Sequence, residues 1–166
     1  RTHRLTGVPT GYPDLDKMTG GWQPSDLIIL AARPSVGKTA FALNLARNAA
    51  MDRNKQTPAA VFMLEMSTMQ AVNRILSAEA EVNMWDISNG NVDETKITHL
   101  NTFGVSKLVN APIYIDDTAA MTVLELRGKC RRLVQSYGVG LIIIDYLQLM
   151  SGDGKSGNRE QEISKI

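Results

Sequence analysis

The chain reads as an α/β domain built on a mostly parallel sheet with helices on both faces. Three observations lead there. Four short apolar runs, 27–31, 59–64, 113–115 and 141–144, alternate with stretches of helical period, the pattern of parallel strands joined by right-handed crossovers. These runs are apolar throughout, not at every second residue, so both faces of the sheet have to be covered. The first run leads into Ala32-Arg33-Pro34-Ser35-Val36-Gly37-Lys38-Thr39 and then into an alanine-rich segment, Ala40 to Ala50. That order is strand, loop, helix, with Gly-Lys-Thr at the turn into the helix.

Glycines and prolines mark turns between Leu5 and Gly21, with a short helix over Pro13 to Met18 closed by Gly20. Leu27 to Ala31 is the first strand, and the helix after the loop covers 38–51. Charged and small residues from Asp52 to Pro58 make a turn before the second strand, Ala59 to Leu64, which ends in Glu65. Ser67 and Gln70 stand in capping-box spacing and start a helix to about Ala80, with Met69, Val72, Ile75, Leu76 and Ala80 as its apolar set. Trp85 to Ser88 makes a turn of helix and Ser88 to Asn91 a loop. Asp93 to Val109 reads as one longer helix with Ile97, Leu100, Phe103 and Leu108 inward. Pro112 ends it, and Ile113 to Ile115 forms a third strand closed by Asp116-Asp117. Thr122 and Glu125 make a second capping box, opening a helix with Val123, Leu126, Cys130, Leu133, Val134 and Tyr137 on its inner stripe. Arg127, Lys129, Arg131 and Arg132 lie on the other side as a solvated face. Gly138 to Gly140 stop that helix, and Leu141 to Ile144 is the fourth strand, ending in Asp145.

With 166 residues and a hydrophobic share of 43%, the chain fits one domain with a real core. No apolar run approaches a membrane-spanning length, and Arg1-Thr2-His3-Arg4 leads into no signal-like segment. A net charge of +1 neither demands nor excludes nucleic acid. The single Cys130 rules out an internal disulfide, fits a reducing cytoplasm and belongs to a helix core stripe. His3 and His99 stand alone, without metal-ligand spacing.

The chemistry gathers at one edge, because ligands of an open parallel sheet sit beyond the carboxyl ends of its strands. A loop entering a helix aims free backbone N–H groups and the positive end of the helix dipole at one spot, which suits a phosphate. Lys38 adds a mobile positive charge for the outer phosphates, and the Thr39 hydroxyl adds a ligand for Mg²⁺. Gly37 lets a ligand approach the backbone without a Cβ in the way. The usual phosphate loop opens with Gly and this one with Ala32, a position that shapes the turn without touching phosphate. Residues 32–40, from Ala32 to Ala40, are therefore the candidate nucleotide contacts, with ATP and Mg²⁺ as the ligands. Asp145, a carboxylate ending an apolar strand, is placed to hold the Mg²⁺ that Thr39 ligates. Glu65 is the candidate general base for the water that attacks the γ-phosphate, a role typically contributing about 10²–10⁴-fold in rate; its plainer alternative is to cap the helix starting at Ser67. Asp116 and Asp117 could line the same edge, but a turn-forming pair suits them better.

An acid after the second strand, with Asp145-Tyr146 where other phosphate-loop ATPases place Asp-Glu, is the arrangement of RecA-like motors. Ala31 to Thr39, Leu64-Glu65-Met66-Ser67, and Ile144-Asp145-Tyr146-Leu147-Gln148-Leu149-Met150 resemble the first three helicase motifs of the DnaB-type replicative helicases. Thr10-Gly11, Leu15-Asp16, Gly20-Gly21 and Tyr114-Ile115-Asp116-Asp117-Thr118 are similar to that family too, and alanine opening the phosphate loop is the form the family shows. The resemblance implies a RecA-like phosphate-loop NTPase fold in a homo-hexameric ring that encircles single-stranded DNA and unwinds duplex at a bacterial or phage replication fork, in the cytoplasm. It further implies primase and a helicase loader as partners, no membrane, and an arginine finger supplied by the neighbouring subunit. On this reading residues 1–166 are the N-terminal part of the ATPase domain, with the family's helical N-terminal domain and the last strands of the sheet outside this chain.

Four more residues carry expectations. Gln148, just beyond the metal site, could sense the state of the nucleotide. Lys155 and Arg159 in the glycine-rich stretch 151–159 could each neutralise one DNA phosphate, or belong to an ordinary surface loop. Arg74 either faces a neighbouring subunit or is a plain exposed helix charge. Two other classes share part of this pattern: a RecA-family recombinase or related switch, and a nucleotide-binding assembly module without turnover.

Overall fold

The structure, a computed structural model, describes residues 5–33 and 35–146. Among these residues, seven α-helices and three strands run in the order α1 (Pro13–Thr19), α2 (Lys38–Met51), β1 (Ala59–Met63), α3 (Thr68–Ala80), α4 (Met84–Ser88), α5 (Glu94–His99), α6 (Ser106–Leu108), β2 (Ile113–Asp116), α7 (Val123–Tyr137) and β3 (Leu141–Asp145), with a π-helical segment, Leu100–Val105, between α5 and α6. The strands form a parallel sheet in the order β2-β1-β3. Ala59 of β1 lies opposite Ile113 on one side and Leu141 on the other, and Met63 lies opposite Asp145.

The alternation of side chains along β1 divides the core in two. Ala59, Val61 and Met63 face Leu43 and Ala46 of α2 and Ala71 and Ile75 of α3. Ala60 and Phe62 face the other way, onto Met121, Leu126 and Val139, with Cys130 and Leu133 of α7 packed alongside. All five residues of β1 are buried, as an apolar run covered on both faces requires. Both capping boxes form, Ser67 with Gln70 at α3 and Thr122 with Glu125 at α7. Gly20 and Gly138 close α1 and α7 in the left-handed conformation, where glycine carries no Cβ penalty.

Four sequence expectations are corrected. The run Leu27 to Ala31 forms no strand: among the described residues it pairs with nothing, and Leu27 and Ile29 are 88% and 82% exposed. An apolar run encodes a wish for burial, whereas a strand also needs a neighbour's N–H and C=O groups. The expected helix 93–109 is one helical path that changes hydrogen-bonding at Leu100, where a π-helical segment takes an extra residue per turn and changes the phase between the residues before it and those after it. Ile97 accordingly sits exposed and not inward, whereas Leu108 packs on the core; the side chain of Phe103 lies outside the described residues. Met69 is exposed as well, on a different face of α3 from Ala71 and Ile75, which meet the sheet. On α7 the inner stripe fades toward its end: Val134 and Tyr137 are exposed, with the Tyr137 ring stacked on Tyr114 at 4.7 Å.

Candidate functional site

Gly37 opens α2 at φ 91° and ψ 21°, a left-handed conformation that a side chain rarely adopts. Among the described residues a Cβ there would meet no atom within 4 Å, so it is the backbone conformation, not crowding, that favours the glycine. Among the described residues no side chain caps α2, and no acidic residue stands in its first turn. Phe41 N–H is already bonded to Gly37 O at 2.9 Å, and the N–H groups of the preceding turn keep the helix's positive pole uncovered. Ser35 also takes a positive φ, 64°. Ala32, Arg33, Ser35, Val36 and Ala40 all lie exposed around this pole.

The sheet delivers the acidic partner. Asp145 ends β3 and is only 4% exposed, yet both of its oxygens meet the start of α2. The Thr39 hydroxyl donates to Oδ2 at 2.8 Å, and Lys38 Nζ stands 3.7 Å from Oδ1. The same ammonium sits 4.7 Å from the ring centroid of Tyr146. Thr39 and Asp145 are hard oxygen donors brought together at a helix N-terminus. Among the described residues no group of three or more His, Cys, Asp or Glu is placed to hold a metal ion. A divalent cation there would complete its shell with water and phosphate oxygens, the habit of Mg²⁺. The donor set fits that ion.

Glu65 reaches the same edge through the backbone. Leu64 N–H donates to Asp145 O at 2.7 Å, which extends the β1–β3 ladder to the residue before Glu65. Its carboxylate is exposed and has no partner among the described residues. Helix α3 is capped by Ser67, which accepts from Gln70 N–H at 3.3 Å, so the capping role open to Glu65 is taken by another residue.

Asp116 and Asp117 are structural. Asp117 accepts the first N–H of α3, from Thr68, at 2.8 Å, and that hydrogen bond holds its carboxyl below the usual value. Burial pushes the Asp116 carboxyl up, but hydrogen bonds from Lys129, at 2.6 Å, and from Thr118 outweigh it and leave it lowered. Lys129 thereby leaves the solvated face expected for it; Arg127, Arg131 and Arg132 remain exposed. Cys130 is half-buried, and burial raises its thiol pKa.

Arg74 departs from the exposed-charge reading. It is half-buried, its Nε is enclosed without a partner among the described residues, and it lines a cavity of about 210 Å³ with Ala40, Leu43 and Asn44 of α2 and Met84 of α4. Pro34, Gln148, Lys155 and Arg159 lie outside the described residues. Sequence reasoning missed Tyr146 as a contact of Lys38; its place directly after Asp145 was the only available signal. It also missed Glu79, whose side chain joins Arg47 of α2 to Lys107 of α6.

Residues 7–166 match the family described as the DnaB-like helicase C-terminal domain. The chain belongs to this family. It is 52% identical over 167 residues to the replicative DNA helicase DnaB of Geobacillus stearothermophilus, which covers all of this chain and 36% of that protein. It is also 52% identical to the replicative DNA helicase DnaC of Bacillus subtilis (strain 168), over 98% of this chain and 35% of the relative. The chain thus spans about a third of the length of these two curated relatives. Among solved structures, one described as an ATPase domain superposes with a TM-score of 0.89 at 29% identity, over 99% of this chain and 58% of that one. A DnaB-like replicative helicase, described with its interactions with primase, gives 0.87 at 30% identity, over 97% of this chain and 38% of that one. The fold is that of a RecA-like ATPase domain, as the family's motifs implied.

Proposed function

We propose that this chain is the nucleotide-binding part of a replicative DNA helicase motor, residues 1–166 forming the N-terminal part of its RecA-like ATPase domain. One observation carries the proposal: the hydroxyl of Thr39 and the ammonium of Lys38 converge on the buried Asp145 carboxylate, at a helix N-terminus that no described side chain caps. The loop 32–40 cradles the phosphates of ATP with backbone N–H groups, and Lys38 reaches the outer phosphates. Thr39 and Asp145 hold Mg²⁺, which supplies neutralising charge on the phosphate oxygens. Glu65, at the same sheet edge and free of any helix-capping duty, orients the attacking water and takes its proton.

In this reading hydrolysis drives translocation on single-stranded DNA and unwinding at the replication fork by a cytoplasmic homo-hexamer, with primase and a loader as partners. Gln148 is the candidate sensor of nucleotide state, Lys155 and Arg159 the candidates for DNA phosphates, and Arg74 the candidate for a subunit contact. No helix among the described residues is long and apolar enough to cross a membrane.

The test is made on the full-length protein. Lys38→Ala is expected to lose nucleotide affinity, whereas Glu65→Gln keeps affinity and loses turnover and fork unwinding. Hydrolysis by Glu65→Gln at the wild-type rate overturns the assignment of the base, and strand exchange without unwinding favours a recombinase instead.

A further inference from the structure

We propose that Tyr146 is a positioning residue for Lys38: its ring holds the ammonium at the mouth of the phosphate loop. The inference rests on the reading of Lys38 as the group that meets the outer phosphates.

The geometry assigns the role. Lys38 leaves the first turn of α2 with a four-carbon stem whose rotamers are free unless something fixes them. Its only ionic partner among the described residues, Asp145 Oδ1, is 3.7 Å away, too far for a hydrogen bond to hold the ammonium in one place. Asp145 already receives the Thr39 hydroxyl on its other oxygen at 2.8 Å, so the carboxylate is pinned by its neighbour and does not follow the lysine. The Tyr146 ring, at 4.7 Å from Nζ to the centroid, lies within the distance at which a ring face attracts a cation. Carboxylate and ring therefore both lie close to the ammonium. Both come from consecutive residues at the end of β3, where the sheet ladder, continued by Leu64 N–H to Asp145 O, fixes the backbone. A ring neutralises no charge, so it holds the ammonium without lowering its attraction for an incoming phosphate further than Asp145 already does. A second carboxylate in the same place would compete with the phosphate.

Removing the ring releases the stem, and the nucleotide then has to order Lys38 itself. The expected weakening is about fivefold, within the range of a partly solvated cation–ring contact.

The experiment is equilibrium binding of fluorescent ADP with Mg²⁺ to the full-length protein, up to millimolar concentrations so that weak variants can be read. Tyr146→Leu is expected to bind about fivefold more weakly, and Tyr146→Phe, which keeps the ring face, within about twofold of wild type. In a Lys38→Met background, Tyr146→Leu is expected to change nothing further. Equal losses in Tyr146→Leu and Tyr146→Phe overturn the proposal, as does an undiminished loss in the Lys38→Met background or no loss at all. If Tyr146→Leu does not fold, Tyr146→Trp carries the test: its ring binds a cation at least as well, so affinity stays equal or tightens, and a loss of about fivefold overturns the proposal. If Lys38→Met itself leaves ADP affinity unchanged, the reading of the nucleotide site has failed; if only the tyrosine variants are silent, the positioning role has.

Discussion

Replacing Glu79 by Gln should loosen the helical layer around the phosphate-loop helix. The Glu79 side chain is only 4% exposed. On one oxygen, Oε2, it accepts both Nε and Nη2 of Arg47 from α2; the other, Oε1, lies 3.3 Å from Nζ of Lys107 on α6. One buried carboxylate thus joins α2, α3 and α6. At 3.3 Å and an effective dielectric of about 20, the Lys107 pair alone has a gross attraction of about 5 kcal/mol. Most of that is offset by desolvation, and Lys107 is 50% exposed, so its net share is about 0.5 kcal/mol. Arg47 is more enclosed, and hydrogen bonds to a charged group contribute about 1.5–3 kcal/mol. Gln retains the shape, but it turns an amide N–H₂ toward one of the two cations. The expected loss is about 2 kcal/mol, which corresponds to about thirtyfold in an opening equilibrium. Native-state hydrogen exchange on the full-length protein reads this directly, as faster exchange of α3 amides around Ala71 and Ile75. Exchange within about twofold of wild type would refute the reasoning. So would a loss no smaller in an Arg47→Met background, because the interaction assigned to Arg47 would then be absent.

Two further outcomes rest on the same structure. Asp116 and Asp117 titrate below the usual 3.8 in the folded chain, so the stability they add is complete above about pH 4 and is lost as pH falls through their lowered values. Urea midpoints at about pH 5 and about pH 3 should differ less in Asp117→Asn than in wild type; an equal fall in both discounts the Thr68 contact as the source. Gly11 has φ +78°, and a Cβ on it would stand 2.3 Å from Asn48 Nδ2 and 2.6 Å from Asn48 Cβ. Gly11→Ala must displace Asn48 from its 2.9 Å bond to Thr10 O, at about 2 kcal/mol for strain and lost bond together. An unchanged melting temperature would show that the segment yields without cost.

The sequence made the site more legible than the sheet. The candidates Gly37-Lys38-Thr39, Glu65 and Asp145 could be singled out because each follows an apolar run, and a run's end is visible in one dimension. The two capping boxes were visible for the same reason: each satisfies N–H groups within three residues of itself. The features that stayed hidden depend on partners far along the chain. Leu27 to Ala31 has the composition of a strand, but pairing is a property of two segments. The π-helical segment at Leu100 shifted the inward face by a fraction of a turn, which moved Ile97 outward without altering the hydrophobic pattern. Asp117 looked like a turn residue, and its bond to Thr68 spans 49 positions. The pair of Glu79 and Arg47 joins α2 to α3 across 32 positions, so no local spacing marks it.

The bond from Leu64 N–H to Asp145 O makes the β1–β3 ladder a ruler for the chemistry. The spacing of Glu65 and Asp145 along the strands is set to within one residue step of about 3.3 Å by a register that begins at Ala59 opposite Leu141. Sliding one strand past the other by that step would also turn Ala59, Val61 and Met63 away from α2 and α3. Miscalibration of the acid pair would therefore empty the core at the same moment. The two candidate acids therefore cannot shift by one register step without disturbing the packing of β1 on α2 and α3.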